Sequence, residues 1–139
     1  APIQFSTQEG VELLLNAGVP AQKIVIGAAF YSRRWDGVKS SENHGLHQEA
    51  ETDGGFGPNY TEIALIYEKS PSFVKYFDET AKAPWLFDGY SFISYDDPMS
   101  LHYKAEYVRK QGLGGMMYWQ HTSDATGTLF DAIYEGLFL

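Results

Sequence analysis

Apolar and polar positions at the start of the chain predict a helix followed by a buried strand. Ser6 and Glu9 have the spacing of a capping box, in which each side chain bonds the backbone of the other residue at a helix start. The apolar stripe of this helix comprises Val11, Leu14 and Leu15. Gly18 lies where a C-cap glycine is expected. The run at 23–30 is then apolar on both faces, which is typical of a parallel strand covered by two layers.

The middle of the chain predicts a small α+β unit. Residues 36–58 are polar and rich in glycine without a steady period, as in a long surface loop. Asn59 or Thr61 is suited to cap a short helix that ends before Pro71. Short apolar segments then predict antiparallel strands at 73–77, 85–87 and 90–95.

The pattern of helix and buried strand returns towards the end of the chain. Asp97 and Pro98 predict a helix start, with Asp as the cap and Pro at the first helical position, and Gly112 predicts its end. Residues 113–119 form a second run typical of a buried strand. The apolar sides of the helices around it consist of Leu101, Ala105 and Val108 before the strand and Leu129, Ile133 and Leu137 after it.

This order of elements predicts an α/β fold. It matches the C-terminal portion of a TIM (β/α)8 barrel that carries a small α+β insertion domain. The corresponding division is 1–35 for a barrel helix and strand, 36–94 for the insertion domain and 95–139 for a barrel helix, strand and final helix. The periodicity by itself also fits a piece of an open, doubly wound sheet, because both architectures place functional groups at the C-terminal ends of parallel strands.

Size and composition narrow the function classes. The 139 residues suffice for a hydrophobic core but are well short of the ~250 residues of a complete barrel of this kind. A formal net charge of -8 argues against nucleic acid and anionic membranes as partners, and no run of roughly 18 apolar residues predicts a membrane span. The absence of cysteine excludes disulfides and thiolate metal sites. The 10 tyrosines, 9 phenylalanines and 3 tryptophans suit a sugar-binding cleft, although aromatic residues also fill cores.

Candidate binding residues stand at the ends of the two predicted buried strands. Tyr31 and Arg33 follow the first strand on one face and offer an amphipathic ring and a cation with several hydrogen-bond donors. From the residues alone, a role in tying the insertion to the barrel rim is an equally good interpretation. Trp119 ends the second strand on the same face as Met117, and a lone tryptophan is more often part of a core than of a binding site.

Long segments of the chain resemble a known enzyme family. The segment at 23–35, KIVIGAAFYSRRW, is similar to the seventh barrel strand of the chitinases of glycoside hydrolase family 18. The segment at 95–119, YDDPMSLHYKAEYVRKQGLGGMMYW, is similar to the last repeat of that barrel, with its eighth strand. Residues 35–60 resemble the start of the domain that bacterial members insert between these strands. The chain thus resembles the C-terminal part of a bacterial-type chitinase.

The resemblance implies roles for three residues. Tyr31 and Arg33 would hydrogen-bond the hydroxyls and the N-acetyl region of a sugar, and Trp119 would form the floor of the subsite that holds the reacting sugar. Ser32 stands where the family usually has the glycine of a Tyr-Gly-Arg sequence. The implied ligand is chitin or a chitooligosaccharide, without cofactor or metal. The implied location is extracellular, although the first residues of the chain show no signal-peptide pattern.

The catalytic motifs of the resembled family are missing from the chain. No Glu has an Asp two residues before it, so the acid motif Asp-x-x-Asp-x-Asp-x-Glu is absent, and Met-x-Tyr-Asp is absent too. In the family the Glu protonates the leaving oxygen while the substrate's own N-acetyl group is the nucleophile, an exception to the two-carboxylate rule. The prediction is a chitinase fragment that supplies substrate-binding residues and is inactive alone, which leaves open whether this chain acts as an enzyme.

Two other functions stay open on the sequence. A family member without the acid can keep an aromatic cleft, so a non-catalytic chitin-binding or lectin-like protein is the alternative. In a third interpretation Tyr31, Arg33 and Trp119 only pack and pair within the fold. Two parallel strands taken from a barrel would also leave unpaired edges and an apolar face, which predicts self-association of the chain.

Other polar residues have simpler interpretations. His44, His47 and Glu49 are close in sequence, but they lack the helical i, i+4 spacing of zinc ligands and a second ligand pair. Asp96 and Asp97 precede a proline, which favours a helix cap over a pair of catalytic carboxylates. The remaining candidates are His121, interpreted as a rim residue, and Asp124, interpreted as the N-cap of the last helix.

Overall fold

Residues 6–139, the part of the protein that the computed structural model describes, form two separate β-sheets and four α-helices, with short 3₁₀ turns at Ala21–Lys23, Glu42–Gly45 and His121–Ser123. The first half contains helix α1 (Thr7–Asn16), strands β1 (Val25–Ala29), β2 (Tyr31–Asp36) and β3 (Gly55–Asn59), and helix α2 (Tyr60–Glu62), which continues as a π-helical turn (Ile63–Tyr67). The second half contains strands β4 (Val74–Asp78), β5 (Ala83–Phe87) and β6 (Ser91–Ser94), helix α3 (Pro98–Gln111), strand β7 (Gly115–Trp119) and helix α4 (Thr128–Phe138).

The smaller sheet consists of β1 and β7, which run parallel. Val25 lies opposite Gly115, and Ala29 lies opposite Trp119. The two buried strands predicted from the sequence are therefore confirmed as a parallel pair, each beginning about two residues later than the apolar run that predicted it.

The larger sheet has five antiparallel strands in the order β3-β2-β6-β5-β4. The strands predicted between 73 and 95 are confirmed as β4, β5 and β6. Strand β3 begins inside the segment 36–58, for which the sequence predicts only a loop. That prediction is wrong at residues 55–58, because two glycines and a proline hide the strand, and its position at the sheet edge tolerates the proline.

The chain changes sheets at Phe30. The sequence predicts that Tyr31 and Arg33 extend the face of the first parallel strand, but β1 ends at Ala29 and Tyr31 begins β2 of the antiparallel sheet. The backbone N–H of Phe30 donates to the carbonyl of Trp119 at 2.9 Å, and its carbonyl accepts from the N–H of Tyr60 at 3.1 Å. The predicted boundary after residue 35 placed residues 31–35 with the first parallel strand, whereas they belong to the antiparallel sheet. The division into domains otherwise stays a prediction.

The ends of α1 and α3 follow the predicted caps. The Ser6 Oγ accepts from the backbone N–H of Glu9 at 3.2 Å, and Gly18 adopts a φ of +87° just after α1. Asp97 caps α3, and Gly112 ends it with a φ of +60°, which glycine adopts without steric cost. The longest helix in residues 6–139 has 14 residues, and no helix in this part of the chain is long and apolar enough to cross a membrane.

The main hydrophobic core joins the two sheets to the helices. Its fully buried side chains are Phe30, Ile63, Leu86, Ile93, Leu101 and Leu129. The phenyl ring of Phe30 stacks on Tyr118 of β7 at 4.7 Å between centroids. A second cluster joins α1 to β1 and α3 through Val11, Ile24, Ile26 and Val108. Leu14, predicted on the apolar side of α1, is instead 43% exposed.

One face of the parallel pair is open to solvent in the described part of the chain. Ile26 and Ala28 point to the buried side, whereas Val25 and Met117 are each 54% exposed and Trp119 is 63% exposed. Within residues 6–139, β1 and β7 pair only with each other. Both faces are apolar, as the sequence predicts, but only one of them is covered by these residues.

A charged network holds the antiparallel sheet against the start of α3. The Lys75 Nζ lies 2.9 Å from the Glu68 carboxylate and 2.8 Å from that of Asp97, which is 3% exposed. The hydroxyl of Tyr95 donates to Glu68 at 2.7 Å. Burial and this hydrogen bond raise the pKa of Tyr95. Burial alone would lower the pKa of Lys75, but the hydrogen bonds to both carboxylates outweigh it and raise that pKa.

We expect Lys75→Met to lower the free energy of unfolding by about 1 kcal/mol at neutral pH, because a buried oxygen of Asp97 loses its partner while Lys75 itself is partly solvated. Since the folded-state pKa of Lys75 is raised, its contribution is complete below the ordinary lysine value of 10.5 and disappears as the pH rises through the raised pKa. The measurement is urea unfolding of both proteins from pH 7 to pH 11. Lys69→Met, an exposed neighbour outside the described ion pairs, is the control, and a pH-independent gap between wild type and Lys75→Met would contradict the assignment.

We expect the chain to self-associate through the open face of β1 and β7, because this face is apolar and both strands have an unpaired edge among the described residues. Light scattering behind a size-exclusion column, over a concentration series, measures the mass. Val25→Glu on the open face should favour the monomer, whereas Leu13→Glu on an exposed position of α1 should not. A compact monomer at every concentration is the result that contradicts self-association.

Candidate functional site

A cavity of about 310 Å³ lies where the two sheets meet. Residues from β2, β3, the end of β7 and the loop after β7 line it, namely Tyr31, Phe56, Trp119, Gln120 and Ser123. The site therefore unites Tyr31 and Trp119, which the sequence nominated from opposite ends of the chain. Arg33 does not line the cavity but lies next to it through Phe56.

Trp119 presents its indole from the open face of the parallel pair. It shares this face with Met117, while Tyr118 points the other way and stacks on Phe30. The Trp119 carbonyl accepts from the N–H of Phe30, and the following peptide bond to Gln120 is cis. The interpretation as an ordinary core tryptophan does not hold within residues 6–139, since the residue is 63% exposed.

Tyr31 stands at the start of β2 and is half-buried. In the sheet it pairs with Asn59 of β3, and its ring meets the ring of Phe56 edge to face at 5.5 Å between centroids. This contact fixes the aromatic ring while Tyr31 still lines the cavity. Tyr31 therefore lies beside Trp119, but it belongs to a strand of the antiparallel sheet and not to the first parallel strand as predicted.

Phe56 is the aromatic residue of the cavity lining that sequence reasoning missed, and Gln120 and Ser123 were not nominated either. Phe56 is 75% exposed, and the Arg33 guanidinium carbon lies 4.3 Å from the centre of its ring, a cation–π contact. Arg33 and Phe56 are also partners in the register of β2 and β3. The only signal in the sequence was a bulky aromatic residue between two glycines in a segment predicted to be a loop, which is a weak indication of function.

The opposite face of β2 is held by polar contacts. The Ser32 hydroxyl donates to the carbonyl of Pro58 at 2.7 Å, and the Arg34 Nε lies 2.8 Å from Asp36. The hydrogen bond from Ser91 and the ion pair with Arg34 lower the pKa of Asp36. These contacts fix β2 from behind, so the strand presents Tyr31 and Arg33 from a rigid support.

The aspartates near α3 and α4 have structural roles. Asp97 caps α3 as predicted, and both oxygens of Asp96 are bound by Lys104, at 2.8 and 2.6 Å. The prediction that Asp124 occupies the N-cap position of α4 is wrong, because Gly127 occupies it. The Asp124 carboxylate still accepts from the N–H of Leu129 at 2.9 Å, so it stabilises the same helix end from three residues earlier.

The histidines lie outside the cavity lining. His121 approaches the hydroxyl of Tyr118 at 3.2 Å, and the ring of His44 stacks on Tyr76 at 4.0 Å. In residues 6–139 no group of three or more His, Cys, Asp or Glu side chains is arranged to hold a metal ion.

Larger and similar cavities exist elsewhere but lack the nominated residues. One of about 560 Å³ lies between the start of α1, the β4–β5 turn and α3, and one of about 290 Å³ lies between Trp35, Leu46 and Phe92. In the first, Lys104 is already bound to Asp96. The cavity of about 310 Å³ at Tyr31 and Trp119 therefore remains the candidate site.

The chemistry of this cavity suits binding rather than proton transfer. An exposed indole covers a flat apolar surface, and Tyr31 and nearby Arg33 offer hydrogen-bond donors at its rim. No carboxylate is among the lining residues, so the described part of the site contains no carboxylic general acid. This combination fits a ligand with apolar ring faces and a polar rim, which is the general character of a pyranose sugar.

Comparison with known proteins agrees with this chemistry. The sequence profile of the family described as "Glycosyl hydrolases family 18" matches residues 1–124. Chitinase A1 of Niallia circulans is 35% identical over 133 residues, which covers 90% of this chain and 19% of that protein.

Two solved structures extend the likeness to three dimensions. A family 18 N-acetylglucosaminidase from Paenibacillus barengoltzii is 51% identical with a TM-score of 0.93, over 98% of this chain and 40% of that one. A class V chitinase mutant from Nicotiana tobaccum, in complex with NAG4, is 25% identical with a TM-score of 0.87, over 100% of this chain and 41% of that one. The chain thus spans less than half the length of the proteins it matches.

Proposed function

This chain belongs to glycosyl hydrolases family 18, and we propose that it forms part of the chitin-binding cleft of a bacterial-type chitinase. The single observation that carries the proposal is the cavity in which Tyr31 and Trp119, from two different sheets, lie together beside an exposed Phe56. The N-acetylglucosaminidase and chitinase names of the similar proteins support the choice of sugar.

The proposed place of the chain is the C-terminal part of a TIM barrel. Strands β1 and β7 would be the seventh and eighth barrel strands, and their open face would be turned to the barrel interior. The antiparallel sheet and α2 would be the insertion domain that forms one wall of the cleft. Three observations support this arrangement. Strands β1 and β7 pair in parallel, and the side chains of Val25, Met117 and Trp119 on their open face are exposed. The chain also matches only a small part of longer relatives.

The proposed substrate is a polymer or oligomer of β-1,4-linked N-acetylglucosamine. Trp119 would cover the apolar face of one sugar ring, a contact worth about 1 kcal/mol beyond the area that it buries. Tyr31 would hydrogen-bond the rim of the sugar, and Arg33, held by Phe56, would donate to its oxygens. The ligand NAG4 of the Nicotiana chitinase structure has this chemistry. An extracellular location follows from such a substrate.

The residues of this chain suggest which part of the reaction the chain would perform. Its residues would bind and orient the sugar, while the general acid would come from a part of the protein outside this chain, because the chain has no Asp-x-Glu sequence. A general acid contributes roughly 10²–10⁴-fold to a rate. The nucleophile would be the substrate's own N-acetyl group, so retention of configuration would need no second carboxylate. We therefore propose that the chain alone binds sugar without hydrolysing it.

We expect Trp119→Ala to weaken the binding of chitotetraose by about tenfold or more, because the stacking surface for a sugar ring is lost. Calorimetric titration measures the affinity, and thermal unfolding of the same samples separates binding from stability. Tyr90→Ala is the matched control, since Tyr90 is an aromatic residue that is 57% exposed at the β5–β6 turn, outside the cavity lining. If Trp119→Ala lowers stability but leaves the affinity of the wild type, the residue only packs within the fold.

We expect a longer natural protein that contains this chain to hydrolyse chitohexaose, and the 139-residue chain to show no hydrolysis above background. Chromatography of the products measures cleavage and distinguishes release of single sugars from internal cuts. Binding without cleavage by the longer protein would favour the lectin-like alternative. Cleavage by the isolated chain would contradict the proposed division of labour.

A further inference from the structure

We propose that Thr61 is a positioning residue that fixes the loop after Trp119 against the antiparallel sheet. The choice of ligand in this inference rests on the proposed function, whereas the contact made by Thr61 does not depend on it. Thr61 lies in α2, and the loop in question comprises residues 120–125 between β7 and α4. Neither the caps nor the strand patterns of the sequence indicate a contact between these segments.

One hydroxyl group makes both hydrogen bonds of this contact. The Thr61 Oγ1 donates to the carbonyl of Ser123 at 3.0 Å, and the same oxygen accepts from the backbone N–H of Ala125 at 2.9 Å. A hydroxyl is suited to this place because it is donor and acceptor at once. Valine has nearly the same shape but satisfies neither backbone group, so it offers an isosteric test of the hydroxyl.

The contact acts on the cavity through the loop itself. Ser123, whose carbonyl Thr61 holds, is 8% exposed and lines the cavity together with Trp119 and Gln120. The N–H of Ser123 donates to the carbonyl of Gln120 at 2.9 Å, so the loop is a closed turn. Its beginning is tied by the bond from Phe30 to Trp119, and its end is tied by Thr61. The loop that follows the indole is therefore anchored at both of its ends.

Thr61 is itself rigidly placed on the element that carries the other wall. Asn59 caps α2, accepting from the N–H of Glu62 at 3.0 Å, while its own N–H donates to the Glu62 carboxylate at 2.8 Å. Asn59 is also the sheet partner of Tyr31. Thr61 thus connects the support of Tyr31 to the loop after Trp119 and sets the distance between the two binding side chains.

The test compares Thr61→Val with the conservative variant Thr61→Ser, which keeps the hydroxyl. Thr80→Val is the control, because Thr80 is an exposed threonine of the β4–β5 turn and takes no part in the site. Three quantities are measured: the hydrogen-exchange rate of the Ala125 amide, the NMR signal of the Trp119 indole N–H, and the affinity for chitotetraose. If Thr61→Val does not fold, Thr61→Ala replaces it, since both remove the hydroxyl.

In Thr61→Val we expect the Ala125 amide to exchange about tenfold faster, the Trp119 indole signal to shift or broaden, and chitotetraose binding to weaken by about tenfold. Thr61→Ser should restore all three, and Thr80→Val should leave them unchanged. An unchanged indole signal and affinity in Thr61→Val overturn the proposal, even if its melting temperature falls. If the wild type does not bind chitotetraose, the proposed function fails, while the amide and indole signals still decide whether Thr61 positions the loop.

Discussion

The junction at Phe30 fixes the two β-sheets relative to each other, and the candidate site depends on it. A single residue separates a parallel strand from an antiparallel one, and both of its backbone groups are used, the N–H by Trp119 and the carbonyl by Tyr60. Its ring is fully buried and stacks on Tyr118. Because an unpaired backbone group in this core would cost free energy, the junction has little freedom to move. The two sheets are consequently fixed to each other at the point where the cavity forms.

The alternation of side chains along β2 separates the candidate binding surface from its support. Tyr31 and Arg33 contact the ring of Phe56 beside the cavity, whereas Arg34 and Asp36 on the other face form a charged hydrogen bond. Successive residues of a strand point to opposite sides. One face of β2 is therefore held by polar contacts while the other face stays accessible, an arrangement that lowers the cost of ordering a binding site.

The sequence nominated only part of the candidate site, and it did so through the family resemblance. Tyr31, Arg33 and Trp119 lie in segments that resemble glycoside hydrolase family 18, whereas from the residues alone a structural role was as good an interpretation or a better one. Phe56 and Thr61 were not found as site residues. Their roles depend on partners such as Arg33 and Ser123, which are 23 and 62 positions away in sequence, and periodicity carries no information on such contacts.

The sequence by itself determined the four helices, the caps of α1 and α3, the two parallel strands, three of the five antiparallel strands and the family resemblance. These features rest on patterns within a few residues, such as a period of two in a strand or a glycine at a helix end. Only the tertiary structure decided that the chain changes sheets at Phe30, that Tyr31 meets Phe56, and that residues 6–139 leave one face of the parallel pair uncovered. The physical reason is that hydrogen-bond pairing and burial are settled between distant segments, where a residue's own type and neighbours do not specify its partner.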